Sequence, residues 1–169
     1  MMAPLAKVFG GIGAVLVTLL FIGVVLPGRW VAEASIEIEA EPTEVFPFLN
    51  DLSRWDQWTN WGDIDSELSD PSQNVGASRT WDDASFGSGS VTITESGSPA
   101  FVHYRVEIEG GASITGELTI EAVGPKSRVT WREEGDFGRN PLMGYVARGM
   151  PKSQGAQLEE GLEKLRYIF

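Results

Sequence analysis

The sequence predicts an α+β fold: an antiparallel β-sheet packed against a long C-terminal helix. Three observations lead there. Residues 33–40 alternate strictly between apolar and polar side chains. Five more alternating segments follow between positions 76 and 134. Near the C-terminus, Leu158, Leu162, Leu165 and Phe169 recur at i, i+4, i+7 and i+11. Alternation with period two marks strands with one wet face, and an apolar stripe at helical spacing marks a helix with one buried face. Strands gathered before a closing helix give an α+β order rather than βαβ units.

The chain opens on an apolar run. Val8 to Leu26 is nineteen residues without a charge. At about 1.5 Å per residue, a helix of that length just crosses a hydrocarbon core of roughly 30 Å. Pro27 and Gly28 close it, and Arg29 and Trp30 supply a snorkelling cation and an interfacial aromatic. A cleaved signal peptide is the competing reading, because Ala32-Glu33-Ala34 resembles a small-x-small cleavage site. The run exceeds the usual signal core of about 7–15 residues, and cleavage after Ala34 would cut into the first strand. The expected organisation is therefore a membrane anchor over 1–29 and a domain over 30–169. Lys7 and the free amine precede the span, which places the domain on the extracytoplasmic side by the positive-inside rule.

Within the domain, "EASIEIEA" (33–40) puts Ala34, Ile36, Ile38 and Ala40 on one face and Glu33, Ser35, Glu37 and Glu39 on the other. A short helix follows, with Pro42 in its first turn and Val45, Phe46 and Leu49 at helical spacing. Trp55, Trp58 and Trp61 then recur every third residue, three indoles on one face of a turn. Strands are expected over 76–82, 89–95, 101–109, 113–123 and 127–134, separated by Gly/Ser/Pro turns. Their inward faces are Val102, Tyr104, Val106 and Ile108, then Leu118, Ile120 and Ala122, then Val129 and Trp131. The closing helix is expected over 141–168, capped by Asn140 with Pro141 as its first residue and kinked at Pro151. A sheet curled around that helix need not be filled by it, and the remainder would be a cavity.

Composition removes several function classes. The chain has no cysteine and one histidine, His103. Disulfides, thiolate nucleophiles and Cys-ligated or multi-His metal sites are thereby excluded, and no metal or cofactor is expected. Beyond Arg29 the chain carries 11 basic and 24 acidic residues, a net of −13. Nucleic-acid binding needs clustered Lys and Arg, so nucleic acid is not an expected partner. Strand parity sends His103 to the solvent face with Arg105 and Glu107, away from a general-base role. No Gly-x-Ser-x-Gly precedes a helix, and "GSGS" (87–90) lacks the Walker lysine. No catalytic set emerges. Glu133 shares the parity of Val129 and Trp131, which aims it inward near a strand end. Buried, it would hold a raised pKa and act on a ligand; at the rim it would be solvated. Trp58, Trp61, Trp81, Tyr104, Trp131 and Tyr145 read either as core or as the lining of a cavity.

Residues 35–61, "SIEIEAEPTEVFPFLNDLSRWDQWTNW", resemble the opening of the SRPBCC or START-like superfamily, the polyketide cyclase/dehydrase and lipid-transport group. "GDFGRNPLMGY" (135–145) and "LEEGLEKLR" (158–166) resemble the end of a subgroup that also carries an N-terminal membrane segment. The resemblance covers about 30–169. It implies a helix-grip fold, a curved antiparallel sheet around the long C-terminal helix with a hydrophobic cavity between them. The loop 135–145 would then lie near a cavity entrance, making Phe137, Leu142 and Tyr145 candidate gates. The expected function is binding of a hydrophobic small molecule or lipid by a membrane-anchored domain without chemistry. The alternatives are a polyketide cyclase- or dehydratase-like enzyme using Glu133 or Tyr104, and an acidic interaction module at the membrane surface.

Overall fold

The computed structural model describes residues 17–84, 87–138 and 140–169. Seven strands form one antiparallel sheet in the order β1-β7-β6-β5-β4-β3-β2. They are β1 (Arg29–Ile38), β2 (Ser66–Leu68), β3 (Ser78–Asp83), β4 (Gly87–Gly97), β5 (Phe101–Ile108), β6 (Ala112–Val123) and β7 (Lys126–Asp136). The long strands β3 to β7 are joined as a meander, and β1 returns to pair with β7 along its whole length. A β-bulge between Ile93 and Glu95 shifts the β4–β5 register. The sheet, its curvature and the closing helix agree with a helix-grip arrangement.

Five segments complete the fold. Residues 17–25 are helical (α1), α2 covers Pro42–Leu49 and α3 covers Met143–Arg166. Two 3-10 turns, Leu52–Gln57 and Asn60–Asp63, carry the indoles. The core lies between the inner sheet face and α2, α3 and these turns. Ile38, Val45, Leu49, Ile93, Val102, Leu118, Val129, Leu158, Leu162 and Leu165 are all buried there. Burying apolar surface at about 25 cal/mol per Å² is the dominant favourable term. α3 runs along β1, and small residues on both elements are buried: Ala32 and Ala34 on β1, Gly144 and Ala147 on α3.

The structure amends several expected boundaries. β1 begins at Arg29, four residues before the strictly alternating stretch, and buries Trp30. Ala122 is exposed, because β6 by then has run past the core. Regular helix begins at Met143 rather than Pro141. Asn140 still caps the turn before it, its Oδ1 accepting from Leu142 N at 3.0 Å. Pro151, the expected kink, lies inside α3. Phe169 is 41% exposed and only edges against Phe48, so the stripe ends at Leu165. His103 lies on the outer face beside Glu95, as parity requires.

Of the expected span over Val8–Leu26, residues 8–16 fall outside the described residues. Among the described residues no helix is long and apolar enough to cross a membrane. Residues 17–25 nevertheless expose a run of apolar side chains, Phe21 and Val25 each at 71%. This segment touches the start of α3. Tyr145 Oη donates to Leu19 O at 2.7 Å, and a Cβ at Gly144 would meet Leu26 Cβ at 2.8 Å.

Candidate functional site

Three elements meet around a cavity of about 410 Å³. The sheet contributes Val106 from β5, Ile114 from β6, and Trp131 and Glu133 from β7. Val106 and Ile114 are direct cross-strand partners, and Trp131 and Glu133 are two apart on one strand, so all four face the same way. α3 adds Gln154, Gln157, Leu158 and Gly161, again on one helical face. The segment after the first 3-10 turn closes the mouth with Thr59, Asn60, Trp61 and Ile64. The volume falls within the usual range of small-molecule sites, roughly 300–1,000 Å³.

The mouth segment is fastened from several sides. Trp55 Nε1 donates to Leu49 O at 3.0 Å, and Trp58 Nε1 to Phe48 O at 3.2 Å. Arg79, 2% exposed on β3, donates to Leu52 O at 2.9 Å and to Asp56 Oδ1 at 2.5 Å. Trp61 packs edge-on against Trp81 with centroids 4.9 Å apart. The every-third-residue indoles thus divide: Trp55 and Trp58 enter the core, and Trp61 stays half-buried at the cavity.

A chain of donors ends on the one carboxyl in the lining. Trp131 Nε1 donates to Tyr104 Oη at 2.7 Å, and Tyr104 Oη donates to Glu133 Oε1. From the helix side, Gln154 Nε2 donates to Glu133 Oε2 at 2.7 Å. Glu133 is 5% exposed and Tyr104 is 1% exposed. Burial raises the Glu133 pKa above the ordinary value of 4.5, and the two hydrogen bonds oppose that rise without cancelling it. Burial first, and then the charge and hydrogen bond of Glu133, push the Tyr104 pKa well above 10.0, so its hydroxyl stays a donor.

Backbone register makes the contact possible. Tyr104 pairs with Gly116 on β6, and Gly116 pairs with Glu133 on β7. A Cβ at position 116 would meet Tyr104 Cζ at 1.9 Å, so the phenol crosses β6 only because that residue is glycine. Gly161 plays a similar part opposite, where a Cβ would meet Trp131 Cζ3 at 2.8 Å.

Of the residues singled out from sequence, Trp61, Trp131 and Glu133 line the cavity. Tyr104 and Trp58 stand behind the lining: Tyr104 holds Glu133, and Trp58 packs edge-on against Trp131 at 5.1 Å. Trp81 backs Trp61. Phe137, Leu142 and Tyr145 lie elsewhere. Phe137 packs on Trp30, Leu142 is 65% exposed, and Tyr145 meets α1. Residues 59–64 border the cavity, and no residue of the loop that precedes α3 does. Sequence reasoning missed Gln154, Gln157, Gly116 and Gly161. Polar residues on a helix read as solvent-facing, and a glycine's cross-strand neighbour is invisible without register. A second depression, of about 310 Å³, lies at the β1–β7 end and is lined by charged residues such as Arg29 and Asp136, which pair with each other. Among the described residues no cluster of His, Asp or Glu could hold a metal ion.

A family model described as "Polyketide cyclase / dehydrase and lipid transport" matches residues 29–167. No curated protein matches the chain. Solved structures share the fold at low identity. The protein jhp0584 from Helicobacter pylori is 14% identical with a TM-score of 0.62, over 83% of this chain and 86% of that one. Mll3558 from Rhizobium loti is 16% identical with a TM-score of 0.58, over 83% and 97%. DynU16, from the dynemicin biosynthetic locus, is 16% identical with a TM-score of 0.58 over 81% of this chain. The chain spans 46% of DynU16, less than half its length.

Proposed function

The chain belongs to the polyketide cyclase/dehydrase and lipid transport family, and from that premise we propose that it binds an apolar small molecule in the cavity between β5–β7, α3 and Trp61. The carrying observation is the lining: Trp61, Ile64, Val106, Ile114, Trp131 and Leu158 surround a single buried carboxyl. Apolar area drives such binding, and the few polar groups orient what is bound. The proposal includes an N-terminal membrane anchor over residues 8–26, with the domain on the extracytoplasmic side. The exposed apolar side chains of residues 17–25 support it.

Titration of the full chain with the fluorescent apolar probe N-phenyl-1-naphthylamine tests the cavity. Saturable binding is expected, with loss in Ile114→Trp, which fills the space from β6, and retention in Leu142→Ala, which lies outside it. Absence of saturable binding, or equal loss in both variants, would refute the reading.

One observation favours a second reading, an enzyme of the cyclase or dehydratase kind. Glu133 lines the cavity, and burial raises its pKa above the ordinary 4.5, the direction that suits a carboxyl to general acid–base work. Tyr104 is covered and reaches a ligand only through Glu133. In that case Glu133→Gln abolishes turnover of a candidate polyketide; unchanged turnover in the variant would remove Glu133 from the chemistry.

A further inference from the structure

We propose that the cavity selects a ligand carrying a protonated amine, which pairs with Glu133 while its apolar body lies against Trp61 and Trp131. This rests on the cavity reading and narrows it to a class of head group.

Every bond to the carboxyl is donated toward it: Tyr104 Oη to Oε1, Gln154 Nε2 to Oε2, and Trp131 Nε1 to the tyrosine behind. An arrangement in which all donors converge stabilises negative charge on the acceptor. Each carboxylate oxygen has two lone-pair directions, and one bond to each leaves capacity for a further donor. That donor has to come from the cavity side, since Glu133 lines it.

The missing partner is a cation. None of the lining residues is Lys, Arg or His. Among the described residues, Lys164 and Arg79 lie near lining residues, and both are committed elsewhere. Lys164 Nζ bonds Asn60 Oδ1 at 2.9 Å and Glu160 at 2.8 Å, and Arg79 is held by Asp56 and Leu52 while its guanidinium lies 6.0 Å from the Trp61 ring. A buried carboxylate without a counter-ion is costly, and its pKa responds by rising. Burial lifts that of Glu133 beyond what its two bonds restore. A ligand ammonium supplies the charge the fold withholds.

The walls fit the same cation. Indole faces attract cations through their quadrupole, and Trp61 and Trp131 both border the space. An anionic head group meets the opposite situation. A fatty-acid carboxylate would find Glu133 and no basic side chain in the lining, and like charges at such range oppose each other strongly. A neutral alcohol can donate one bond to Glu133 but leaves its charge uncompensated.

Head-group comparison at constant tail length separates these cases. The full chain is placed in nanodiscs, with empty discs as blank, and titrated at pH 7.5 and 0.15 M salt with octylamine, 1-octanol and octanoate. Octylamine is expected to bind at least about tenfold more tightly than either of the others, the scale of losing one partner of a desolvated charge pair. In Glu133→Gln the amine-to-alcohol affinity ratio should fall to within about twofold of one. Octanol or octanoate binding as tightly as the amine would overturn the amine assignment while leaving the cavity reading intact. Binding of none of the three would overturn the cavity reading itself. An amine preference that survives in Glu133→Gln would trace to the acidic surface and also overturn the assignment. Should Glu133→Gln fail to fold, Ile114→Trp takes its place: loss of the amine preference with the cavity filled supports the assignment, and its survival overturns it.

Discussion

Tyr104 and Glu133 lie on strands separated by a third strand, and their side chains meet across the bare backbone of Gly116. The hydrogen bond between them is therefore a property of three residues in lateral register. It ties the middle of the sheet to the cavity lining.

That dependence gives the first prediction. Gly116→Ala places a methyl group inside the van der Waals envelope of the Tyr104 ring. The ring has to move, and overpacking of this kind costs about 1–3 kcal/mol. For a chain of this size each kcal/mol lowers Tm by roughly 2–4 °C. Thermal unfolding should show the decrease, with a changed near-UV dichroism from Tyr104 and its indole neighbours Trp55 and Trp131. A variant as stable as the parent would mean the phenol does not cross Gly116.

The second prediction concerns pH. Folding raises the Glu133 pKa above its ordinary 4.5, so the folded chain holds this proton more tightly than the unfolded chain. Below that value the neutral carboxyl carries no penalty. As pH rises from there through the folded value, stability is lost. Tyr104 and Gln154, which face the carboxyl from β5 and α3, stay uncharged across this interval. Glu133→Gln should therefore gain on the parent as pH is raised from about 4 to 8. Paired melting curves at the two extremes measure it, and a pH-independent difference would contradict the assignment.

A third prediction concerns Arg79. Its guanidinium is buried while its partner Asp56 is 44% exposed. Truncation to Ala removes the link between β3 and the first 3-10 turn and leaves Leu52 O without its donor. A cost of about 2–3 kcal/mol is expected, below the 3–5 kcal/mol of a fully buried pair because water reaches Asp56. Arg79→Lys should also destabilise, since an ammonium cannot reproduce the fork that reaches both acceptors. Urea unfolding of the two variants checks both statements; a lysine variant equal to the parent would deny the fork its role.

A fourth prediction tests the anchor. The full chain should float with liposomes in a density gradient and resist extraction by alkaline carbonate, whereas a chain lacking residues 1–28 should do neither. Release of the full chain by carbonate would reduce the apolar N-terminus to a surface attachment.

How much of this was legible in the sequence depends on the range of each interaction. Half-buried strands print their own period, so Tyr104 and Glu133 were aimed inward from parity alone, and His103 outward. The depth of Glu133 was not legible. Its partners Tyr104 and Gln154 lie 29 and 21 residues away and share no pattern with it. Gly116 carries no signal of its own within the alternating run 113–123, because the tyrosine over it follows only from strand register. The loop at 135–145 adjoins the end of β7, which made Phe137, Leu142 and Tyr145 attractive gates. The cavity is instead lined by residues 59–64 and by α3 from Gln154 to Gly161, and chain proximity to the strand end carries no information about that.

The grip of residues 17–25 on the first turn of α3 sets a distance. Tyr145 touches α1, while Gln157, twelve residues further along the same helix, borders the cavity. Twelve residues of α-helix measure about 18 Å. With the N-terminal segment in a bilayer, α3 becomes a spacer of fixed length, and the binding space stands off from the point of attachment by up to that amount. A molecule leaving the lipid then crosses a short aqueous gap or waits for the domain to tilt about the contact between Gly144 and Leu26. Delivery becomes a matter of reach and hinge geometry, separable by mutation from affinity.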